Sequence, residues 1–216
     1  MIRLYVIVEG LTELNFVSQL LRPHLQELCL DRIAIMRPPR LDGRYTYAQL
    51  KKLAKSLIGV ASEVVVTTMV DLFKLPSDWP GVPEAADISR PLDRVCFLEQ
   101  RCCEDFGDTR FLPHLSLHEF EALVLCDLEA LAAIHPNRSR ELGELGARLK
   151  REFESPEHVN RQQPPSYRIR AVLPEYQKAT DGIQAVTKIG LAKLCERCTH
   201  FKQWLHRLEG IASVDN

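Results

Sequence analysis

The sequence predicts an α/β fold: a mostly parallel central sheet flanked by helices, followed by a helical C-terminal part. Three observations lead there. Leu4–Val8 and Glu63–Val70 are short apolar runs rich in branched residues, as buried strands are, and each stops at a carboxylate, Glu9 or Asp71. Stretches with apolar residues at helical spacing separate them. From about residue 127 onward the spacing is helical in pieces. Strands alternating with helices call for parallel pairing.

Taken in order, the first strand leads through Glu9-Gly10-Leu11-Thr12-Glu13 into a helix over about 13–29, with Phe16, Val17, Leu20 and Leu21 on one face and Thr12 as the expected N-cap. Asp31–Ile35 reads as a short strand. Residues 36–47 read as a loop; its Arg37, Arg40 and Arg44 near Tyr45 and Tyr47 suit either a nucleic-acid backbone or plain solvent. A helix follows over 47–57, with Leu50, Leu53, Ala54 and Leu57 on one face. After the second strand, Leu75–Gly81 carries two prolines and a glycine and forbids regular structure.

Residues 84–106 are amphipathic and expected helical. Arg110–His118 reads as a third strand, pushed to a sheet edge by Pro113. Pro136 divides the helical pattern of 127–152 in two, Ser155–Tyr167 is a proline-bearing loop, and Gly182 and Gly190 punctuate the helical remainder. The expected division is a core over 1–137 and a basic helical extension over 138–216 that packs on it.

Composition narrows the class. A hydrophobic fraction of 45% and a charged fraction of 26% fit a soluble globular chain, and no apolar run approaches the ~20 residues of a membrane span. Seven cysteines without a secretory signal point to reduced thiols and a cytoplasmic setting. The net charge of −1 divides into −5 over residues 1–137 and +4 over 138–216. An acidic front and a basic rear suit a carboxylate site beside a polyanion-binding surface, and equally two ordinary solvated surfaces.

The acids at the strand ends carry the chemistry. Glu9 with Glu13, Asp71, and Glu119 with Glu121 each follow a strand-like segment. Read as extended, Glu119 and Glu121 point the same way. Five carboxylates at one end of a sheet repel one another unless a cation joins them. Hard divalent ions take oxygen ligands, so Mg²⁺ or Mn²⁺ fits best. A pair of such ions about 3.5–4 Å apart clamps the attacking and leaving oxygens of a phosphodiester. Arg168, Lys178 and Lys188 in the basic rear are candidate phosphate contacts. His118 is a candidate ligand or water-orienting group, with a histidine hydrogen-bonded to Glu121 or the backbone as the favoured alternative. Cys195-x-x-Cys198-x-His200 has zinc-like spacing, with Cys102-Cys103 as a second half, but its helical context favours buried thiols. The sequence lacks a phosphate-cradling Gly-x-x-x-x-Gly-Lys loop, so ATP hydrolysis by this chain is not expected.

Glu9-Gly10-x-Thr12-Glu13 after a strand resembles the first motif of the topoisomerase–primase (Toprim) fold, in the form found in overcoming-lysogenization-defect (OLD) nucleases. More specifically, the chain resembles the DUF4276 family over nearly its whole length. The resemblance rests on Val70-Asp71-Leu72-Phe73-x-Leu75-Pro76, Leu98-Glu99, Arg110-Phe111-x-Pro113, His118-Glu119-Phe120-Glu121-Ala122-Leu123, Pro165-Ser166-x-Arg168, Tyr176-x-Lys178, Ile189-Gly190-Leu191 and Cys198-x-His200-Phe201-x-x-Trp204.

The resemblance implies a Toprim-like, metal-dependent nuclease of DNA or RNA, often paired with an ATPase partner in anti-phage or mobile-element systems, with self-association left open. By that analogy Glu9 and Glu13 hold one metal, Asp71, Glu119 and Glu121 complete the cluster, and Glu9 serves as general acid or base. Glu9, Asp71, Glu121 and Lys178 are then the catalytic candidates. Two departures stand out. Where the Toprim second motif reads Asp-x-Asp, this chain has Asp71-Leu72-Phe73, and Ser166-Tyr167-Arg168 replaces the family's Ser-Lys-Arg. The first departure supports an alternative, a catalytically reduced module that binds a partner ATPase or nucleic acid.

Overall fold

The computed structural model describes residues 1–28, 33–35, 45–159 and 163–211. The chain divides into two compact units, one of Met1–Leu117 with the segment beginning at His206, the other of His118–Leu205. The sequence reading had placed its boundary after residue 137.

The first unit is an α/β sheet structure. Its strands are β1 (Ile2–Val8), β2 (Ile33–Ile35), β3 (Val64–Asp71), β4 (Phe111–Leu112) and β5 (Leu115–Ser116). The order is β2-β1-β3-β4, with β5 also on β3, and every pairing is parallel. β1 and β3 form the centre, in register from Arg3↔Val64 to Val8↔Met69. That register brings the residues following Val8 and Met69 out at one edge, which positions the site.

Side chains alternate across the strands. Ile7, Val64, Val66 and Val70 join one buried cluster with Leu50, Ala54 and Ile58 of α3 (Tyr47–Ile58) and Val95, Leu98 and Cys102 of α4 (Pro91–Phe106). Leu4, Val6 and Val8 face the other way and are equally buried, as are Phe16, Leu21 and Leu25. α3 starts with a full capping box, Thr46 and Gln49 each closing on the other's backbone. α4 starts at Pro91, where the missing amide costs nothing.

Three local expectations need correction here. The first helix runs from α1 (Leu11–Phe16) through a π-helical turn (Val17–Leu21) into α2 (Arg22–Leu28). Its N-cap is Gly10, and Thr12 lies buried within the first turn rather than capping it. Pro23 accounts for the π turn: its ring crowds the Gln19 carbonyl four residues back, and a wider turn gives that oxygen room. The expected third strand is two short ones, interrupted at Pro113 and His114. Edge placement of β4 agrees with the reading of Pro113. The loop expected over 36–47 falls mostly outside the described residues, including its three arginines.

The second unit is helical: α5 (Glu121–Val124), α6 (Leu128–Ala132), α7 (Ser139–Glu152), α8 (Pro165–Val172), α9 (Ile183–Arg197) and the first half of α10 (Thr199–Ile211). Pro136 does separate α6 from α7, and α8 begins at Pro165, inside the stretch expected to be loop. Gly190 kinks α9 with φ 76° and ψ 155°, a backbone region essentially reserved for glycine. The junction of α9 and α10 is fixed from a distance along the chain. Ser155 donates to the Arg197 carbonyl at 2.8 Å, and the buried Glu157 carboxylate accepts from the amides of His200 (3.1 Å) and Phe201 (3.0 Å), two orphan donors of α10. Among the described residues no helix is long and apolar enough to cross a membrane.

Candidate metal centre

In the first unit the sheet brings Glu9 and Asp71 together. Glu9 is the first residue after β1 and Asp71 the last of β3. Glu9 Oε2 accepts a hydrogen bond from the Asp71 amide at 3.2 Å. Asp71 is only 3% exposed and Glu13 5%. Glu13 comes back from the first helical turn so closely that a Cβ on Gly10 would lie 3.1 Å from its Oε2. Glycine at position 10 therefore leaves room for the carboxylate. Glu9 and Asp71 meet at the carboxyl edge of β1 and β3, where open parallel sheets carry their ligands, and Glu13 follows in the first turn of α1.

Tyr45 completes this surround. Its hydroxyl is buried and makes no hydrogen bond. Burial, then the charges of Glu9 and Asp71, push its phenol well above the ordinary tyrosine range. Buried carboxylates beside a buried hydroxyl with no acceptor fit a hard cation with oxygen ligands. The sequence pointed to Tyr45 only as a loop residue near arginines.

A second donor pair in the first unit was not foreseen. Glu99 on α4 accepts from the Leu115 amide at 2.8 Å, and His114 Nδ1 lies 3.7 Å from the same Oε1. His114 is buried and Glu99 nearly so, which makes them candidate oxygen and nitrogen donors to a metal. Glu99 stands in the sequence only within the Leu98-Glu99 match and His114 in none, so nothing there signals them as a pair.

In the second unit, Glu119 and Glu121 depart from the extended geometry expected of them. Glu119 lies in the turn before α5 and Glu121 is the first residue of that helix. Glu119 accepts from the Ser166 amide at 3.1 Å. Glu121 is buried, with Lys178 Nζ 3.6 Å from its Oε2 and stacked 5.9 Å above the Phe120 ring. Burial raises the Glu121 carboxyl above its usual range, and Lys178 offsets part of that.

Of the phosphate candidates, Arg168 is buried with its guanidinium shared between Glu152 (3.3 and 3.4 Å) and the Gln163 carbonyl, over the Phe153 ring. Lys188 is exposed on α9. His118 is buried. Cys198 turns to Cys126, with 3.3 Å between the sulfurs, and that contact, then burial, raise its thiol. Of the two cysteines of the Cys195-x-x-Cys198 spacing, Cys198 is buried and Cys195 half-buried.

A family profile described as "Domain of unknown function (DUF4276)" matches residues 8–209. No curated protein and no solved structure matches the chain.

Proposed function

Because the chain belongs to the DUF4276 family, whose function is unknown, its activity has to be read from its own residues, and we propose that it is a Toprim-type, metal-dependent nuclease hydrolysing phosphodiester bonds in DNA or RNA. The observation that supports this most is the meeting of Glu9 and Asp71 at the carboxyl edge of two neighbouring parallel strands, with Glu13 in the helical turn that follows Glu9.

Glu9, Glu13 and Asp71 would hold Mg²⁺ or Mn²⁺ by oxygen. Such an ion, when bound, activates water and stabilises charge on phosphate oxygens. Glu9, the most accessible of the three, takes the proton of the attacking water. Asp71 and Glu13, held by burial, keep the donor positions fixed. The Tyr45 hydroxyl has its donor free for a phosphate oxygen or a ligated water. Within the second unit, Glu119 and Glu121 are candidate oxygen donors by type, and Lys178 and Lys188 candidate phosphate cations. Arg168, engaged by Glu152, serves the second unit's own packing. The pairing with an ATPase in a cytoplasmic anti-phage or mobile-element system belongs to this proposal through the family resemblance.

Phe73, in place of a second aspartate, favours a second reading, a module that binds a partner ATPase or nucleic acid without cutting. The experiment is incubation of the whole protein, alone and with an ATPase encoded beside it, with plasmid, single-stranded DNA and tRNA in Mg²⁺ or Mn²⁺. Divalent-dependent cleavage that falls at least a hundredfold in Glu9→Gln and Asp71→Asn is the expected result. Cleavage that survives a chelator or both substitutions overturns the assignment. Absence of cleavage with tight partner binding selects the second reading.

A further inference from the structure

We infer that a cavity within the second unit, lined by residues of α6, α7 and the end of α9, binds a small organic anion, a carboxylate on an apolar body. The inference is independent of the metal centre. The cavity measures about 240 Å³. At roughly 30 Å³ per water this is the space of roughly eight waters.

Its walls are apolar where a ligand body would lie: Leu128, Leu142, Leu149, Phe153 and Val159. Its lining carries two acids, Asp127 and Glu129, and two bases, Lys150 and Arg197. Asp127 is neutralised by Lys193 at 2.5 Å and caps α6 through the Glu129 amide. Glu129 and Lys150 are exposed, and Arg197 is the half-buried cation of the lining. Arg197 has its Nε buried and without a hydrogen-bond partner. A buried guanidinium donor beside an apolar wall is completed by an acceptor that brings its own apolar body.

The helix that floors the cavity gives an independent reason. Gly143 and Gly146 both line it from the interior of α7, a helix of 14 residues. Glycine is the poorest helix former after proline, so each position weakens the helix. Neither is there for backbone shape or for want of space. Neither has positive φ, an added Cβ at 143 would meet nothing within 4 Å, and one at 146 would make only ordinary contact with Leu128 at 3.8 Å. Gly143 is exposed and Gly146 half-buried, so the cavity opens to solvent along α7, and at both positions the missing side chain leaves that volume open.

Octanoate is the probe, with octan-1-ol as the same chain lacking the charge, titrated calorimetrically into the whole protein. The expected result is one saturable site for octanoate and at least tenfold weaker binding of octan-1-ol. Arg197→Gln should weaken octanoate at least tenfold. Gly146→Leu should abolish binding while the thermal melt stays as high or rises, because leucine both fills the cavity and favours the helix. Gly143→Leu is the second filling variant should the first not fold. No saturable heat with octanoate, equal binding of the alcohol, or unchanged affinity in a folded filling variant would each overturn the inference.

Discussion

The Thr68 hydroxyl makes a two-way bond with the backbone of His114, donating to its carbonyl at 2.8 Å and accepting from its amide at 2.9 Å. It bridges the gap where β4 stops at Leu112 and β5 resumes at Leu115, so one side chain does the work of a missing rung. The neighbouring Thr67 donates to the Leu112 carbonyl. This anchors β5 against the end of β3, where Asp71 pairs with Ser116.

Thr68→Val should therefore cost about 2–4 kcal/mol, because it leaves a buried amide and a buried carbonyl without their partner. Thr67→Val, which removes a single donor, should cost about 1 kcal/mol. Urea unfolding of the two variants decides the matter. Equal losses would mean that the bridge at His114 contributes nothing beyond an ordinary side-chain bond.

The acids at the β1–β3 edge make a thermodynamic prediction that needs no substrate. A cation that binds only the folded protein adds about 2.7 kcal/mol at a hundredfold excess over its dissociation constant. Mg²⁺ or Mn²⁺ should raise the melting temperature of the unmodified protein, and Asp71→Asn and Glu13→Gln should each lose most of that rise. A rise unchanged by both substitutions would place the ion somewhere else.

How far the sequence led can be seen in particular residues. Glu9 and Asp71 were legible as neighbours because two strands of branched residues each stop on acid, and a parallel sheet puts such ends together. The capping of the first helix was misread because Thr12 is a good cap by type, while its burial and the room that Gly10 leaves for Glu13 are tertiary facts. Glu119 and Glu121 were misread because α5 is only four residues long, too short to show a helical period. The Thr68–His114 bridge and the Glu99–His114 approach were invisible, since both depend on where β4 breaks.

Gly182 inverts the usual helix rule. Alanine normally stabilises a helical position over glycine by about 1 kcal/mol. Here a Cβ would lie 2.6 Å from the Tyr176 hydroxyl, so Gly182→Ala should destabilise by about 1–3 kcal/mol. The hydroxyl is buried and has no hydrogen-bond partner, so Tyr176→Phe alone should be neutral or mildly stabilising. The double variant should recover most of the loss. A Gly182→Ala loss that Tyr176→Phe leaves untouched would show that the crowding lies with another neighbour, Phe120 being next at 3.6 Å.

Glu121 supplies the pH dependence. Burial raises its carboxyl above the ordinary range, and the approach of Lys178 does not fully restore it. A raised acid binds its proton more tightly in the folded protein than in the unfolded chain. Its contribution to stability is therefore complete below the ordinary carboxylate range and is lost as the pH climbs through the raised folded value. At neutral pH the ionised side chain is a cost to the fold. In chelator-treated protein, Glu121→Gln should melt higher than the parent at pH 7–8, and the difference should shrink toward zero near pH 4, below the usual carboxylate value of about 4.3. Lys178→Met removes the compensating charge and should act in the opposite direction, lowering the melt at neutral pH more than at pH 4. If Glu121→Gln instead lowers the neutral-pH melt, the ion pair with Lys178 outweighs the desolvation of the carboxylate, and the acid stabilises this part of the fold even without a metal.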